Sequence, residues 1–244
     1  MGKKQSKISV LFKKQKKHLP AKLEGTWIGE LCRYGWMIFI SAWILQGMRI
    51  MNWREVVIKL GLDIFITFLL WLCGLPWIIS LLIAHTLNFT FNGQLFAMFT
   101  HMGATGVPAS NFLNYTIKIS ESCHRKKFLR AAIAYGSLSR GCYKSTSDID
   151  LRLIPQPGAI NWWKTAFWAL GLRAKAFVVR YPLDMYVYDP EVVVKKMRTD
   201  ELPIILDEKN GSMKSYYPER VEMSEFVDVF SRNNLFESVV ENKV

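Results

Sequence analysis

The sequence is poor in residues that cross-link a chain or bind soft metals. Its four cysteines and four histidines are scattered over 244 residues, and none of them has the spacing of a zinc site. Cysteines in unrelated segments indicate reduced thiols rather than a disulfide framework. No internal repeat is present. We also expect no cleavable signal sequence, because the first apolar run begins late and lacks a small-residue cleavage site.

Acidic side chains are scarce as well. The chain has 20 of them against 32 lysines and arginines, a formal net charge of +12, and residues 1–33 hold nine basic and only two acidic residues. Beside apolar segments, such an arm indicates attraction to anionic lipid, worth ~1 kcal/mol per basic residue near the surface. A solvated tail and nucleic-acid binding are the alternatives. Because the charge is concentrated in this arm, nucleic acid is not the expected partner.

Long apolar runs are abundant in the first third of the chain. Half of all residues are hydrophobic, and residues 64–84 contain no charged side chain. As a helix with a rise of ~1.5 Å per residue, this run would be about 30 Å long, which matches the hydrocarbon core of a bilayer. Residues 34–48 are also uncharged but shorter. The two runs together predict a two-helix membrane hairpin.

We expect this hairpin to cover residues 34–85, with a connection near residues 53–62 and a kink at Gly74 and Pro76. Because positively charged segments remain on the cytoplasmic side, the basic arm predicts a two-pass membrane protein. Both termini and the region after the hairpin would then face the cytoplasm.

A short segment in the second half of the chain carries the chemistry. Gly136 and Ser137 follow the apolar residues 131–135, as expected for a strand that ends in a turn close to an anionic ligand. Farther on, Asp148 and Asp150 alternate with apolar residues, so they point to the same face of a strand. Two parallel carboxylates suit Mg²⁺, which completes its shell with water and substrate phosphates.

A third acid belongs to a later segment. Residues 177–188 are rich in β-branched and aromatic residues and predict a strand, and Asp184 stands alone among its apolar neighbours. Because an unpaired buried carboxylate is costly, we expect Asp184 to face a metal ion or a cleft. Three carboxylates of this kind are typical of a two-metal site.

The order of these motifs resembles a known family. The pattern consists of Gly136–Ser137, Arg140–Gly141, Ser147–Asp148–Ile149–Asp150–Leu151 and Asp184. It is similar to the DNA polymerase beta-like nucleotidyltransferase superfamily, especially its small prokaryotic members, over residues 112–212. The resemblance implies transfer of a nucleoside monophosphate from an NTP such as ATP to an acceptor, with release of pyrophosphate.

The resemblance also implies roles for individual residues. Gly136 and Ser137 would hold the triphosphate, with Arg140 and Lys144 as further contacts. Asp148 and Asp150 would bind two Mg²⁺ ions, for which Mn²⁺ is an alternative. Asp184 would bind the ion that activates the acceptor oxygen.

The expected fold is α+β, with a small mixed β-sheet of the nucleotidyltransferase type, flanking helices and a preceding two-helix membrane hairpin. The predicted segments are a polybasic cytoplasmic arm, the hairpin, an interfacial segment with a linker, the nucleotidyltransferase domain and a C-terminal tail, at residues 1–33, 34–85, 86–110, 111–217 and 218–244.

The predicted function is nucleotidyl transfer to a membrane-associated acceptor at the cytoplasmic membrane surface. A lipid-linked or polar sugar, a phosphosugar or an alcohol phosphate of envelope or polysaccharide synthesis would suit this role. The alternatives are an inactive membrane-tethered nucleotide-binding regulator and an enzyme that modifies protein or tRNA. Oligomer formation is left open.

Overall fold

The structure is a computed structural model that describes residues 24–93, 95–136, 138–139, 143–197 and 201–236. The chain divides into two compact units, Met1–Thr105 and Gly106–Val244. Residues 1–23, which form most of the predicted polybasic arm, lie outside the described residues. The predicted segment boundaries stay predictions.

The described part of the first unit is helical. Its helices are α1 (Trp27–Leu31), α2 (Gly35–Leu45), α3 (Trp53–Leu72), α4 (Trp77–Asn92) and α5 (Leu95–His101). Helix α3 begins where the Asn52 side chain accepts a hydrogen bond from the Arg54 amide at 3.1 Å, a typical N-cap. Helix α2 ends at Gln46, whose φ of 46° is left-handed. Residues 53–62, predicted to connect two helices, instead form the first half of α3.

The prediction of a two-pass cell-membrane protein with a transmembrane hairpin is wrong. Among the described residues, no helix combines the length and the apolar character needed to cross a bilayer. The uncharged run at residues 64–84 is divided between two helices, because α3 ends at Leu72 and α4 begins at Trp77. Gly74, with a φ of 90°, lies between them. Helix α2 has only 11 residues, and α3 carries charged side chains in its first half.

Two charged side chains of α3, Lys59 and Asp63, belong to a buried polar network between α2, α3 and α4. The carboxylate of Asp63 lies 2.8 Å from His85 Nδ1 and accepts a hydrogen bond from the Asn88 amide at 2.8 Å. Lys59 donates to the carbonyl of Gln46 at 2.6 Å. The outer faces of α3 and α4 are apolar and exposed, including Ile64 and Phe65, Phe68, Trp71, Leu72, Trp77 and Ile78. This unit therefore buries polar side chains next to apolar ones such as Ala84 and Phe89, and exposes many large apolar side chains.

The second unit is an α+β fold with a five-stranded mixed sheet, which confirms the predicted fold class to that extent. Its elements are α6 (Ala109–His124), β1 (Leu129–Tyr135), β2 (Ile149–Pro155), α7 (Ala159–Val178), β3 (Leu183–Val187), α8 (Pro190–Lys196), β4 (Ile204–Glu208), β5 (Val221–Glu222) and α9 (Met223–Ser231), followed by a π-helical turn (Arg232–Phe236). The strand order is β3-β2-β1-β4-β5. Strand β1 pairs antiparallel with β2 and β4, whereas β2–β3 and β4–β5 are parallel.

Helix α7 makes the parallel β2–β3 pair possible, since parallel neighbours need a crossover connection. It packs on both strands and buries Trp162, Ala166 and Ala169. The helix extends to Val178, into the segment predicted as a strand. Arg180, with a φ of 58°, follows its end, and β3 starts only at Leu183.

Candidate active site

The strand register brings the predicted acids of two strands together. Asp150 on β2 is the register partner of Asp184 on β3, and on its other side it is opposite Tyr135, the last residue of β1. Since partners in adjacent strands point to the same face, the two carboxylates lie side by side. Asp148 immediately precedes β2. Residues 34 positions apart in the sequence thus form one acidic pair.

Gly136 leaves the space in which the Asp150 carboxylate lies. Its φ is 90°, and a Cβ atom built at this position would collide with the Asp150 carboxylate oxygen. Both the backbone conformation and the close approach require glycine here. The turn is closed by the Ser139 hydroxyl, which donates to the Gly136 carbonyl at 2.9 Å. Glycine therefore determines where the Asp150 side chain can sit.

A buried arginine lies beside the acidic pair. The Arg152 guanidinium is 3.6 Å from the Asp150 carboxylate and 3.8 Å from that of Asp184. It also donates to the backbone carbonyl of Asp184 at 3.2 Å. Its charge lies over the rings of Tyr135 and Tyr186, at 4.7 and 4.8 Å from their centroids. The side chain of Arg152 is only 7 % exposed, against 27 % for Asp150 and 20 % for Asp184, so the arginine supports the acids from the protein side.

The electrostatics of the pair favour a neutralising charge. Burial raises the pKa of Asp150, and the neighbouring carboxylates of Asp184 and Asp148 raise it further, to about 8, although Arg152 acts in the opposite direction. Burial lowers the pKa of Arg152, but Asp184, Tyr135 and Asp150 outweigh it, so this pKa is raised. The guanidinium therefore remains charged, and its effect on Asp150 is smaller than the combined effect of burial and the two neighbouring carboxylates.

The loop between β1 and β2 carries the other predicted contacts. Lys144 is exposed and lies in a turn closed by Ser147, whose hydroxyl accepts from the Lys144 amide at 2.9 Å. Tyr143 anchors the loop because its hydroxyl donates to the Val107 carbonyl at 2.6 Å and its ring contacts Phe230 at 5.1 Å. Two other predicted triphosphate contacts, Ser137 and Arg140, lie outside the described residues.

The donor set suits a hard divalent cation. In the part of the chain that the structure describes, no group of three or more acidic, histidine or cysteine side chains is arranged to hold a metal ion. Mg²⁺ usually takes only one or two protein carboxylates and completes its shell with water and substrate phosphates. The pair Asp150 and Asp184 offers such ligands, and a cation there would offset the burial and the repulsion by Asp184 and Asp148 that raise the pKa of Asp150.

The sequence interpretation misses Arg152, Tyr135 and Tyr186. The signal for Arg152 is present, because the two-residue period that aligns Asp148 with Asp150 includes residue 152. The same period places Tyr186 on the face of Asp184, and the register pairs Arg152 with Tyr186. Tyr135 could not be found in this way, because its position opposite Asp150 depends on the pairing of β1 with β2.

Comparisons with known proteins do not assign this chain to a family. No protein-family model matches the chain, and no curated protein matches it. Among solved structures, the chain is similar to one described as the crystal structure of the toxin-antitoxin with AMP-PNP, with 14 % identity and a TM-score of 0.27. The match covers 53 % of this chain and 95 % of the other. A TM-score this low assigns neither a fold nor an activity.

Proposed function

We propose that the second unit is a nucleotidyltransferase that transfers a nucleoside monophosphate from an NTP to an acceptor and releases pyrophosphate. The single observation that carries this proposal is the register pair Asp150–Asp184, set against Gly136. The motif resemblance assigns these residues to the donor half of the reaction.

In this proposal, Asp150 and Asp184 would be the two carboxylate ligands of Mg²⁺, Asp148 would add negative charge beside them, and Gly136 would let the phosphate chain approach the backbone. The cation supplies charge neutralisation for the phosphates when it is bound. The protein contributes position, because phosphoryl-type transfer needs orientation and electrostatic stabilisation more than covalent chemistry. A bond forms between the acceptor oxygen and the α-phosphorus, the bond from that phosphorus to the bridging oxygen breaks, and pyrophosphate leaves.

The test is pyrophosphate release by the purified full chain, with Mg²⁺, each of the four NTPs in turn, and a whole-cell extract as the source of acceptors. We expect release with at least one NTP. Asp150→Ala and Asp184→Ala should lower the rate at least about 100-fold, since even supporting residues around a metal cost 10–100-fold. Glu121→Ala, which removes an exposed acid of α6, is the matched control and should leave the rate unchanged.

Two results would reject the proposal. The first is equal activity of the wild-type protein and both aspartate variants. The second is saturable NTP binding without any pyrophosphate release in extracts, which would identify the second unit as a nucleotide-binding module instead.

A further inference from the structure

Arg152 has two sets of contacts that meet at the acidic pair. Its guanidinium lies over the rings of Tyr135 and Tyr186 and also over that of Tyr188, whose centroid is 6.0 Å away. Its NH1 group donates to the carbonyls of Leu151 at 3.0 Å and Asp184 at 3.2 Å. Such contacts fix the plane of the guanidinium and favour a delocalised cation over a compact ammonium.

The other set of contacts is purely electrostatic. The two carboxylates are 3.6 and 3.8 Å from the NH2 group, which is beyond ordinary hydrogen-bond length. The contact of Arg152 with the two carboxylates is therefore one between charges, and both carboxylate side chains remain partly exposed, at 27 % and 20 %. At the same time, a charge of opposite sign at this distance offsets part of their mutual repulsion.

We propose that Arg152 is a positioning residue, a built-in counter-ion that holds Asp150 and Asp184 in the arrangement of the cation-binding state before any cation is bound. It would contact neither substrate nor metal. The inference rests on the proposed function only in taking the two aspartates as ligands of a divalent cation.

Arg152 can act through its packing or through its charge, and these two roles predict different effects of a divalent cation on an Arg152 variant. If the charge matters, then a divalent cation should replace it. If only packing matters, then the loss on substitution should be the same with and without a cation. The quantity to measure is the cation gain, which we define as the midpoint of thermal unfolding in 5 mM Mn²⁺ minus the midpoint in EDTA.

The substitution Arg152→Gln keeps a donor for the backbone carbonyls and removes the charge. Removing one partner of a buried ion pair leaves the other charge uncompensated. We therefore expect the midpoint in EDTA to fall by about 6–20 °C. Mn²⁺ should restore at least half of this loss, so the cation gain of the variant exceeds that of the wild-type protein.

Two further variants serve as controls. Arg173 is also a buried arginine, 3 % exposed, but it donates to the Met185 carbonyl at 2.6 Å and lies near Tyr186 at 5.8 Å. Arg173→Gln should lower the midpoint without changing the cation gain. Arg152→Lys keeps the charge and loses the flat stacking, so it should also keep the wild-type cation gain.

The inference is overturned if Arg152→Gln shows the same cation gain as Arg173→Gln, or if Arg152→Lys shows the larger gain. If Arg152→Gln does not fold in either buffer, Asp184→Asn is added to it. This second change removes the excess negative charge and should restore folding; failure to restore it also overturns the inference. The thermal unfolding experiments contain no nucleotide. Absence of pyrophosphate release in the earlier test would therefore reject the transfer reaction without changing the conclusion about Arg152.

Discussion

Gly136 is the position at which the smallest chemical change should have the largest effect on the site. Alanine at a φ of 90° is strained, at a cost of about 1–3 kcal/mol, and its methyl group would displace the Asp150 carboxylate. We expect Gly136→Ala to lower the free energy of unfolding by this amount and the rate of pyrophosphate release at least about 10-fold. Urea unfolding and the release assay measure the two effects.

Gly171 provides the matched control. It lies within α7, and a Cβ atom added there would meet no atom within 4 Å. Since alanine is the better helix former by about 0.5–1 kcal/mol, Gly171→Ala should stabilise the protein slightly and leave activity intact. A Gly136→Ala variant that behaves like Gly171→Ala would contradict the close contact with Asp150.

Asp150 should make stability depend on pH when no cation is bound. Its pKa is raised from 3.8 to about 8, first by burial and then by Asp184 and Asp148. Between these values the folded state binds more protons than the unfolded state, so the free energy of unfolding should fall as pH rises through this window and level off above it. Thermal unfolding in EDTA from pH 5 to pH 9 measures this slope.

Substitution and cation binding both provide checks on that slope. Asp150→Asn, which cannot ionise, should flatten it. Saturating Mg²⁺ should make the slope less steep, because a bound cation stabilises the charged carboxylates. An equally steep slope in the asparagine variant would assign the pH dependence to other groups.

Among the helices, the buried network of the first unit should contribute strongly to stability. Asp63 accepts from Asn88 and lies at hydrogen-bond distance from His85, so Asp63→Ala leaves two inward-facing groups without this partner. We expect a loss of about 2–5 kcal/mol in the free energy of unfolding, measured by circular dichroism in urea. Ile64→Ala, next to it but 70 % exposed, should change stability by less than about 0.5 kcal/mol. Equal losses would show that the network is not structurally important.

The same network explains why the sequence predicts a connection at residues 53–62. Lys59 and Asp63 interrupt an apolar region, and read locally they indicate exposure. Their partners, Gln46, His85 and Asn88, are distant in the sequence, and only tertiary packing brings them together. Charge alone therefore could not distinguish a connecting loop from a buried helix.

The strands show the converse case. The sequence predicts that Asp148 and Asp150 point to the same face, because side chains alternate along a strand and this alternation can be read from neighbouring residues alone. The proximity of Asp184 and Tyr135 is different, since it depends on which strands pair and in which register. Residues 177–188 show the remaining difficulty, because β-branched and aromatic residues occur both in strands and in the last turn of a helix. Here α7 ends at Val178, and Arg180, with a φ of 58°, follows it.

For the chain as a whole, the division after Thr105 predicts that residues 106–244 fold alone. Their sheet and three of their helices share one core, with Phe112, Ile133, Leu151 and Met185 fully buried. We expect this fragment to unfold cooperatively in urea. Its three tryptophans, Trp162, Trp163 and Trp168, all lie on α7, so their fluorescence reports on the β2–α7–β3 unit.

A shorter fragment tests where this unit begins. The Val107 amide donates to the Ser145 carbonyl at 2.8 Å, and its own carbonyl accepts from Tyr143. A fragment of residues 109–244 lacks both bonds and should be less stable than residues 106–244. A broad, non-cooperative transition in both fragments would contradict independent folding.

The pairing of Ile149 with Leu183 determines more than the geometry of one sheet edge. If β3 paired with β2 one residue out of step, every side chain of β3 would turn to the opposite face, and Asp150 would lose its partner carboxylate. A misaligned chain could be compact and still bind no cation at this pair. The fraction of molecules that bind a cation at this pair would therefore measure the fraction of a preparation in which β2 and β3 are paired in the correct register.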